Sequence, residues 1–518
     1  MVAKSKAIKF LIVFFVFIFT VILRLWNINE MGRTWDEHEY VEQGYGMIEL
    51  LKKGDFSNSY FYTTYDHPPL IKYLYGITAH FDVEKRLGNT EVVFKYDLTH
   101  SRLLSAILFS LGVVMVVMIG WKISSPIIGI LSGIIFAMLP FSLGLSQLVT
   151  AESLKLFIYP LAIYSYLLLI EKFSWKRVLI AGIITGVALQ SKQSNFLLIP
   201  LLGSMFFLQY RQLRKDKKQA FAKIRGMAVI IVALVSVITF VFLWPQILFH
   251  FKEVYSIHQG LWDVQFSPKI WQITLSPPEV FFGRLMLTPI FYYVVYFFIT
   301  IPFLILFLFF AGIKEIFKKK NIYILSVLLW FILPFSLSIY SWRQHGLRYI
   351  IEIYPAIAII AAVGFNSLMV KFRIKEKLRL LYFFPIIIYL FIILLLIKPY
   401  YLDYFNELIG GVNTVYKYKL FQIGWWGQGI REAGMYVIKN APKGSSVGLA
   451  LSPILSAPPM PNLNVQVYSN SKKYDYVIVN TYNLIREEFD DSSIKNNYEP
   501  VYFAKVDQAI LVIVYKHK

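Results

Sequence analysis

Long apolar segments divide the first 397 residues of the chain into membrane-sized helices. Apolar residues run for about 17–25 positions at a time, which is the length that a helix needs to cross the hydrocarbon core of a bilayer. Short polar or charged stretches separate these runs. The pattern predicts eleven transmembrane helices, near residues 8–26, 102–120, 127–145, 154–170, 178–190, 195–210, 226–245, 290–312, 322–340, 351–369 and 380–397.

The basic residues between these segments support the count of eleven. If the N-terminus is cytoplasmic, every basic cluster falls on the cytoplasmic side, as the positive-inside rule requires, whereas removing one helix would place later clusters outside. The apolar N-terminal segment lacks a small-residue cleavage site, so we interpret it as an uncleaved first helix. We predict a multi-pass protein of the cell membrane with a cytoplasmic N-terminus. The basic clusters lie at 172–177, 211–225, 314–320 and 371–379.

Two external loops and a C-terminal segment contrast with the apolar helices. The loop 27–100 carries twelve acidic and seven basic residues, and its apolar residues recur at helical spacing, so we expect interfacial helices there. A second large external loop covers 246–289. Residues 398–518 contain short alternating segments and one helical stretch, which predict a small α/β domain outside the membrane. The remaining part, 1–397, is the predicted membrane module.

The composition agrees with a membrane protein and argues against nucleic-acid binding. Hydrophobic residues make up 57% of the 518 residues and charged residues 16%, whereas soluble proteins have roughly 25% charged residues. The net charge of +21 is divided among short clusters and forms no soluble basic domain, so nucleic acid is not an expected partner. The chain has no cysteine and therefore no disulfide or thiolate site.

Acidic residues follow the first apolar segment, in the stretch T-W-D-E-H-E-Y at 34–40. Thr34 and Glu37 have the spacing of a capping box, which places Asp36 in the first turn of a helix. A carboxylate there suits a general base or a metal ligand. The alternative is that these acids only cap and solvate an interfacial helix.

Further ionisable residues occur at the predicted external edge of the membrane, where unpaired charges are costly and therefore suggest function. Arginine suits a lipid phosphate because its guanidinium offers a planar fork of donors. Each residue also has a structural alternative: capping a turn or a helix, or extending a charged group to the lipid headgroups. The candidates are His67, Glu152, Lys192, Arg343, His345 and Arg348.

Several motifs occur in a defined order along the predicted helices. They are D-E at 36–37, H-P-P-L at 67–70, S-R-L-L-S at 101–105, G-V-A-L-Q-S-K-Q at 186–193, R-Y-I-I-E-I-Y-P at 348–355, Y-F-N-E-L-I-G-G at 404–411 and W-W-G-Q-G at 425–429. In this order they resemble the protein O-mannosyltransferase and aminoarabinose transferase group of GT-C glycosyltransferases. The resemblance implies a GT-C fold and the inverting transfer of a sugar from a polyprenyl-phosphate carrier on the extracytoplasmic face.

The resemblance also implies roles for individual residues. Asp36 would activate the acceptor hydroxyl, and Glu37 and Glu152 would support it or position the acceptor. His67 occupies the place where family members hold the donor phosphate, and an arginine of the segment 341–349 would share that role. A histidine at this place is closer to the mannosyltransferases than to the lysine of aminoarabinose transferases, which favours mannose or another neutral hexose.

The resemblance has departures and leaves alternatives. No loop is long enough for the β-trefoil insertion of eukaryotic O-mannosyltransferases, and W-W-G lacks the acid of the oligosaccharyltransferase W-W-D motif, which disfavours N-glycosylation. The acceptor can be a protein, a glycan or a lipid, and a lipid or cell-wall glycan is the main alternative to a protein. We expect no required cofactor, although Mg²⁺ or Mn²⁺ bound by Asp36, Glu37 and Glu152 stays open.

Proteins of other classes fit the sequence less well. A secondary transporter or lipid flippase is expected to show internal repeats and charges near the membrane midplane. This sequence shows no repeat, and its ionisable residues gather at one predicted face. A receptor whose C-terminal domain carries the function would not explain the charges of the first loop.

Overall fold

The structure is a computed structural model, which describes residues 2–63, 67–82, 97–215, 219–256, 259, 278–319, 321–338, 346–451, 454–487 and 489–518. Helices dominate the chain up to residue 440, and a five-stranded sheet follows. The first seventeen helices are α1 (Val2–Leu25), α2 (Trp35–Lys52), α3 (Tyr60–Thr63), α4 (Leu70–Ala79), α5 (Thr99–Ile123), α6 (Pro126–Met138), α7 (Pro140–Ser146), α8 (Ala151–Glu171), α9 (Trp175–Leu189), α10 (Leu198–Lys215), α11 (Gln219–Leu243), α12 (Gln246–Phe249), α13 (Tyr292–Thr300), α14 (Phe303–Lys319), α15 (Ile322–Ser338), α16 (Ile353–Lys371) and α17 (Glu376–Ile397).

Each of the eleven predicted apolar segments coincides with a helix or with a pair of consecutive helices. Among the described residues, seven helices are long and apolar enough to cross a membrane, or nine if each of two bent pairs counts as one span. The helices α9 and α15 have 15 and 17 residues, fewer than the roughly 20 that a perpendicular span needs. The polytopic helical fold is therefore confirmed, and the count of eleven stays a prediction.

Two prolines break apolar segments into bent pairs. The axes of α6 and α7 differ by 69°, and those of α13 and α14 by 113°. Leu139 precedes Pro140, and Ile301 precedes Pro302; both leading residues have extended backbone angles, as the proline ring requires of the residue before it. The first break redirects the chain towards the start of α8.

The first external loop contains the helices α2, α3 and α4. At the start of α2 the predicted pairing is present, because the Glu37 carboxylate accepts a hydrogen bond from the Thr34 amide at 2.9 Å. The backbones of α2 and α4 touch: a Cβ at Gly44 would lie 2.1 Å from the Lys72 carbonyl oxygen, and one at Gly76 would lie 2.2 Å from the Gly44 oxygen. Only glycine permits this approach, which fixes α2 against the rest of the loop.

The second predicted external loop, 246–289, is described in part, since 257–258 and 260–277 lie outside the described residues. It ends in a short antiparallel hairpin of β1 (Glu279–Phe281) and β2 (Arg284–Met286). Phe281 also forms a bridge to Phe421, so the hairpin joins the membrane module to the C-terminal part of the chain.

The C-terminal segment is the predicted α/β unit. Its sheet has the strand order β4-β3-β5-β7-β6, in which β3 lies parallel to β4 and β5, and β7 lies antiparallel to β5 and β6. The short alternating segments predicted here, near 446–451, 465–468, 476–480, 501–505 and 509–515, coincide with these five strands, while the boundary at 397/398 stays a prediction. The elements are α18 (Gly411–Lys417), α19 (Ile430–Asn440), β3 (Ser446–Ala450), β4 (Asn464–Val467), β5 (Tyr476–Asn480), α20 (Thr481–Ile485), α21 (Ser492–Asn497), β6 (Tyr498–Val506) and β7 (Ala509–His517).

Candidate active site

Arg348 is the centre of a buried charge cluster. It begins a short 3₁₀ turn, Arg348–Ile350, just before α16. Its Nη2 donates to Asp36 Oδ2 at 2.5 Å, and its Nε donates to Glu152 Oε1 at 2.8 Å. One guanidinium therefore bridges the first turns of α2 and α8, which are 116 residues apart in sequence.

Glu152 and Lys192 extend the cluster. Glu152 lies in the first turn of α8, where the amide dipoles favour a negative charge. Its Oε1 also accepts a hydrogen bond from Lys192 Nζ at 2.6 Å, and both residues are buried. Lys192 lies in the polar run that follows α9, so a connection between two apolar segments contributes a cation to the site.

The adjacent residues Asp36 and Glu37 have different surroundings, because consecutive positions on a helix point in different directions. The Asp36 side chain is 25% exposed. Glu37 is fully buried, and its two oxygens accept hydrogen bonds from Arg102 Nε and Nη2 at 2.8 and 2.7 Å. The backbone amides of Thr34 and Val149 donate to the same carboxylate at 2.9 and 3.0 Å. Glu37 is thus fully occupied, while Asp36 can meet a ligand.

His67 lies on the same side of α2 as Asp36. It is partly buried, and its ring stacks on Tyr40 with a centroid distance of 6.0 Å and an interplanar angle of 11°. Tyr40 lies one turn after Asp36, and its side chain is close enough to contribute to the electrostatics of Arg348. The other two phosphate candidates, Arg343 and His345, lie outside the described residues.

The charge of Arg348 is maintained by its partners. Burial opposes the charged form, but the carboxylates of Glu152 and Asp36 outweigh burial and hold the pKa of the guanidinium above its usual range. The ring of Trp426 lies 4.1 Å from the guanidinium carbon, so the cation also rests on an aromatic face. The result is a fixed cation beside a partly exposed carboxylate.

Comparisons with known proteins were made for both sequence and fold. The family model "Dolichyl-phosphate-mannose-protein mannosyltransferase" matches residues 66–244, about a third of the chain. A comparison with curated proteins finds no match. Among solved structures, ArnT from Cupriavidus metallidurans in the apo state aligns over 99% of this chain and 98% of its own, with a TM-score of 0.51 and 13% identity. The chain has the GT-C glycosyltransferase fold.

Other GT-C structures align less closely. The oligosaccharyltransferase AglB from Archaeoglobus fulgidus, in complex with an inhibitory peptide and a dolichol-phosphate, covers 99% of this chain and 74% of its own, with a TM-score of 0.47 and 14% identity. The Saccharomyces cerevisiae Pmt1-Pmt2 complex bound to the sugar donor covers 52% of this chain and 38% of its own, with a TM-score of 0.34 and 18% identity. The predicted GT-C fold is confirmed by the alignment with ArnT in the apo state.

The carboxylates that were considered for a metal ion do not form one set of ligands in this GT-C chain. Asp36 and Glu152 are joined by Arg348, but Glu37 is directed towards Arg102. In the part of the chain that the structure describes, no group of three His, Asp or Glu residues could hold a metal ion. The set of Asp36, Glu37 and Glu152, which the sequence left open for a metal ion, therefore stays untested, although the Glu37 carboxylate is paired with Arg102.

Sequence reasoning missed three charged residues of the site. Arg102, in the motif S-R-L-L-S, forms the buried pair with Glu37. Lys155 and Glu352 form a second buried ion pair, and both are fully buried. The sequence signal for these residues was that each charge lies inside a predicted apolar segment, where a charge is uncommon unless it is paired or functional. Including these residues and their partners, the site contains four cations and four carboxylates: Arg102, Lys155, Lys192 and Arg348 with Asp36, Glu37, Glu152 and Glu352.

The turn W-W-G-Q-G connects the C-terminal unit to the site. Trp425 and Trp426 stack at 5.0 Å, and the Trp426 amide donates to the Gln428 side chain at 2.8 Å. Asp403 Oδ1 accepts from the Gly424 amide at 2.8 Å. Burial raises the pKa of the Asp403 carboxyl to about 7 although this hydrogen bond lowers it. The turn that holds Trp426 against Arg348 therefore depends on a buried carboxyl group.

Proposed function

We propose that the chain transfers a sugar from a polyprenyl-phosphate-linked donor to an acceptor hydroxyl, with inversion at the anomeric carbon, on the extracytoplasmic face of the cell membrane. The observation that carries the proposal is the contact of Asp36 with Arg348. A partly exposed carboxylate and a buried cation lie side by side at the end of membrane-sized helices. General-base catalysis needs the first group, and a phosphate leaving group needs the second.

In the proposed reaction Asp36 removes the proton of the acceptor hydroxyl. The acceptor oxygen forms a bond to the anomeric carbon while the bond from that carbon to the phosphate oxygen breaks, and the lipid phosphate leaves with the bonding electrons. Arg348, Lys192 and His67 stabilise the phosphate charge, together with Arg343 and His345 of the preceding loop. If a donor phosphate accepts the hydrogen bond that Arg348 now donates to Asp36, the Asp36 carboxylate becomes available to the acceptor hydroxyl.

Glu152 and Glu37, the two other acids around Asp36, have supporting roles in this proposal. Glu152 orients Arg348 and Lys192 through one oxygen. Glu37 accepts four hydrogen bonds and therefore positions the first turn of α2, in which Asp36 lies. No step of the proposed reaction requires a metal ion.

The orientation in the membrane is part of the proposal. Glu152 stands at the first turn of α8, and the basic residues at 172–177 follow the end of the same helix. The 19 residue steps from Glu152 to Glu171 span about 29 Å, close to the thickness of a hydrocarbon core. If the basic end is cytoplasmic, the site and the C-terminal unit are extracytoplasmic.

Mannose or another hexose is the favoured sugar, and a protein hydroxyl is the favoured acceptor. The match of residues 66–244 to the mannosyltransferase model supports both choices. A lipid or a cell-wall glycan as acceptor is the second candidate, because the motifs of the sequence also resemble the aminoarabinose transferases.

The test is incubation of the purified protein with radiolabelled polyprenyl-phosphate sugars and a panel of protein, glycan and lipid acceptors. We expect label on one acceptor class, with the opposite anomeric configuration to the donor. Absence of transfer from every lipid-linked sugar, together with transfer from a nucleotide sugar, would overturn the proposal.

A further inference from the structure

The first turns of α8 and the segment before α16 are connected at two points. α8 carries Glu152 and Lys155, which are three residues apart and therefore lie on one face of the helix. The opposing segment carries Arg348, which begins the short 3₁₀ turn, and Glu352, which directly precedes α16. Glu152 pairs with Arg348, and Lys155 pairs with Glu352. We call these four residues the clamp.

The second pair of the clamp is deeper than the first. Lys155 and Glu352 are both fully buried, and Lys155 Nζ also donates to Ser194 Oγ at 2.8 Å. Ser194 lies two residues after Lys192, which donates to Glu152. Glu152 and Lys155 of α8 therefore each contact two segments: the polar run after α9 and the segment that contains Arg348 and Glu352.

Stability alone does not account for this pair. Removing two opposite charges from water costs several kcal/mol for each ion, and well-packed apolar residues in place of a buried ion pair are often neutral or stabilising. An ion pair is directional, unlike apolar packing, so it can fix the position of the segment that carries it. Groups that act on a substrate need their geometry fixed to within about 0.5 Å.

We infer that Lys155 and Glu352 are positioning residues that hold the Arg348 turn so that the guanidinium meets a lipid-borne phosphate. This inference rests on the proposed function, because it assigns the phosphate to Arg348. Glu152 holds one end of the turn through the guanidinium itself, and Lys155 holds the other end through Glu352. Neither Lys155 nor Glu352 contacts the substrate.

The test measures the affinity of the purified, detergent-solubilised protein for undecaprenyl phosphate. Single substitutions would leave one buried charge unpaired and destabilise the fold, so the test variant is the double substitution Lys155→Met with Glu352→Gln. We expect a folded protein whose affinity for undecaprenyl phosphate falls about tenfold. Binding of undecaprenol, which lacks the phosphate, should stay at the wild-type level.

A matched control uses the ion pair of Lys122 with Glu171, which joins α5 to the opposite end of α8. Glu171 is 16 residues beyond Lys155, about 24 Å along the helix. The substitutions Lys122→Met with Glu171→Gln should leave the affinity for undecaprenyl phosphate unchanged.

Three results would overturn the inference. Wild-type affinity in the Lys155/Glu352 double variant would show that the pair does not position Arg348. Failure of that variant to fold would show that the pair serves the fold. Failure of the wild-type chain to bind undecaprenyl phosphate more tightly than undecaprenol would overturn the proposed function, and this inference with it.

Discussion

At the scale of single residues, the site separates two neighbouring carboxylates by their surroundings. Asp36 pairs with Arg348 and keeps a quarter of its side chain exposed. Glu37 is surrounded by donors and has no exposed surface. These surroundings agree with the reactive role proposed for Asp36 and the positioning role proposed for Glu37.

Substitution Glu37→Gln should damage the fold. It leaves the Arg102 guanidinium, whose side chain is 3% exposed, without its anionic partner. Breaking a buried pair in this way costs about 3–5 kcal/mol. We expect a much lower yield of monodisperse protein and a clearly lower unfolding temperature, measured by size-exclusion chromatography and thermal unfolding. A Glu37→Gln variant as stable as the wild type would contradict the positioning role.

Substitution Arg348→Lys should preserve the positive charge but lose the simultaneous contact with Asp36 and Glu152. A lysine ammonium cannot offer the planar fork that reaches Asp36 and Glu152 together. We expect affinity for undecaprenyl phosphate to fall by about tenfold to a hundredfold, with Arg373→Lys, at an exposed position between α16 and α17, as the control. Equal affinities of the wild type and Arg348→Lys would contradict a bidentate role for this residue.

At the scale of elements, the charged side chains of the candidate site lie at turns and helix ends rather than in the middle of long helices. Arg348 lies in a 3₁₀ turn, Lys192 follows α9, and the bend at Pro140 leads to the start of α8, which carries Glu152. The W-W-G-Q-G turn adds Trp426 from the C-terminal unit. The contacts of these groups with one another are all made by side chains.

The turn that holds Trp426 should make stability depend on pH. The folded pKa of Asp403 is about 7, above the unfolded value of about 3.9, so folding favours the protonated form. Its contribution is complete below about pH 4 and is lost as the pH rises to about 7. We expect Asp403→Asn, which retains an acceptor for the Gly424 amide, to lose less stability than the wild type between about pH 5 and pH 8, as measured by thermal unfolding. Parallel curves for the two proteins would contradict this assignment.

The fold was largely predictable because its strongest signals are local. Apolar length identified the long apolar helices, and alternation identified the strands of the C-terminal sheet. The bends at Pro140 and Pro302 were not predicted, although proline was the available signal, because the apolar pattern continues across both prolines. Helix count could not be settled in the same way, since α9 and α15 are shorter than a full span.

The site was only partly predictable, because its pairings are long-range. The sequence proposed Asp36, Glu152 and Arg348 together, and the structure places their charged groups within hydrogen-bonding distance. It did not reveal that Glu37 pairs with Arg102 or that Lys155 pairs with Glu352. Such choices of partner depend on which helices become neighbours, and no local pattern encodes this.

At the scale of the whole molecule, the proposed orientation predicts which segments are exposed on each side of the membrane. The chain contains no cysteine, so single introduced cysteines report the topology directly. A membrane-impermeant maleimide applied to intact cells should label Ser471→Cys, in an exposed part of the C-terminal unit. It should not label Asn321→Cys, between α14 and α15, until the membrane is permeabilised. The reverse pattern would contradict the proposed orientation.

The central claim is that Asp36 is the general base of a lipid-phosphate-dependent sugar transfer. The most direct measurement compares transfer of labelled sugar from a polyprenyl-phosphate donor by the wild type, Asp36→Asn and the control Asp55→Asn, which alters another acid of the same loop. With equal amounts of folded protein, the account predicts that kcat falls by at least about a hundredfold for Asp36→Asn and stays near the wild-type value for Asp55→Asn. Wild-type turnover by Asp36→Asn would contradict it.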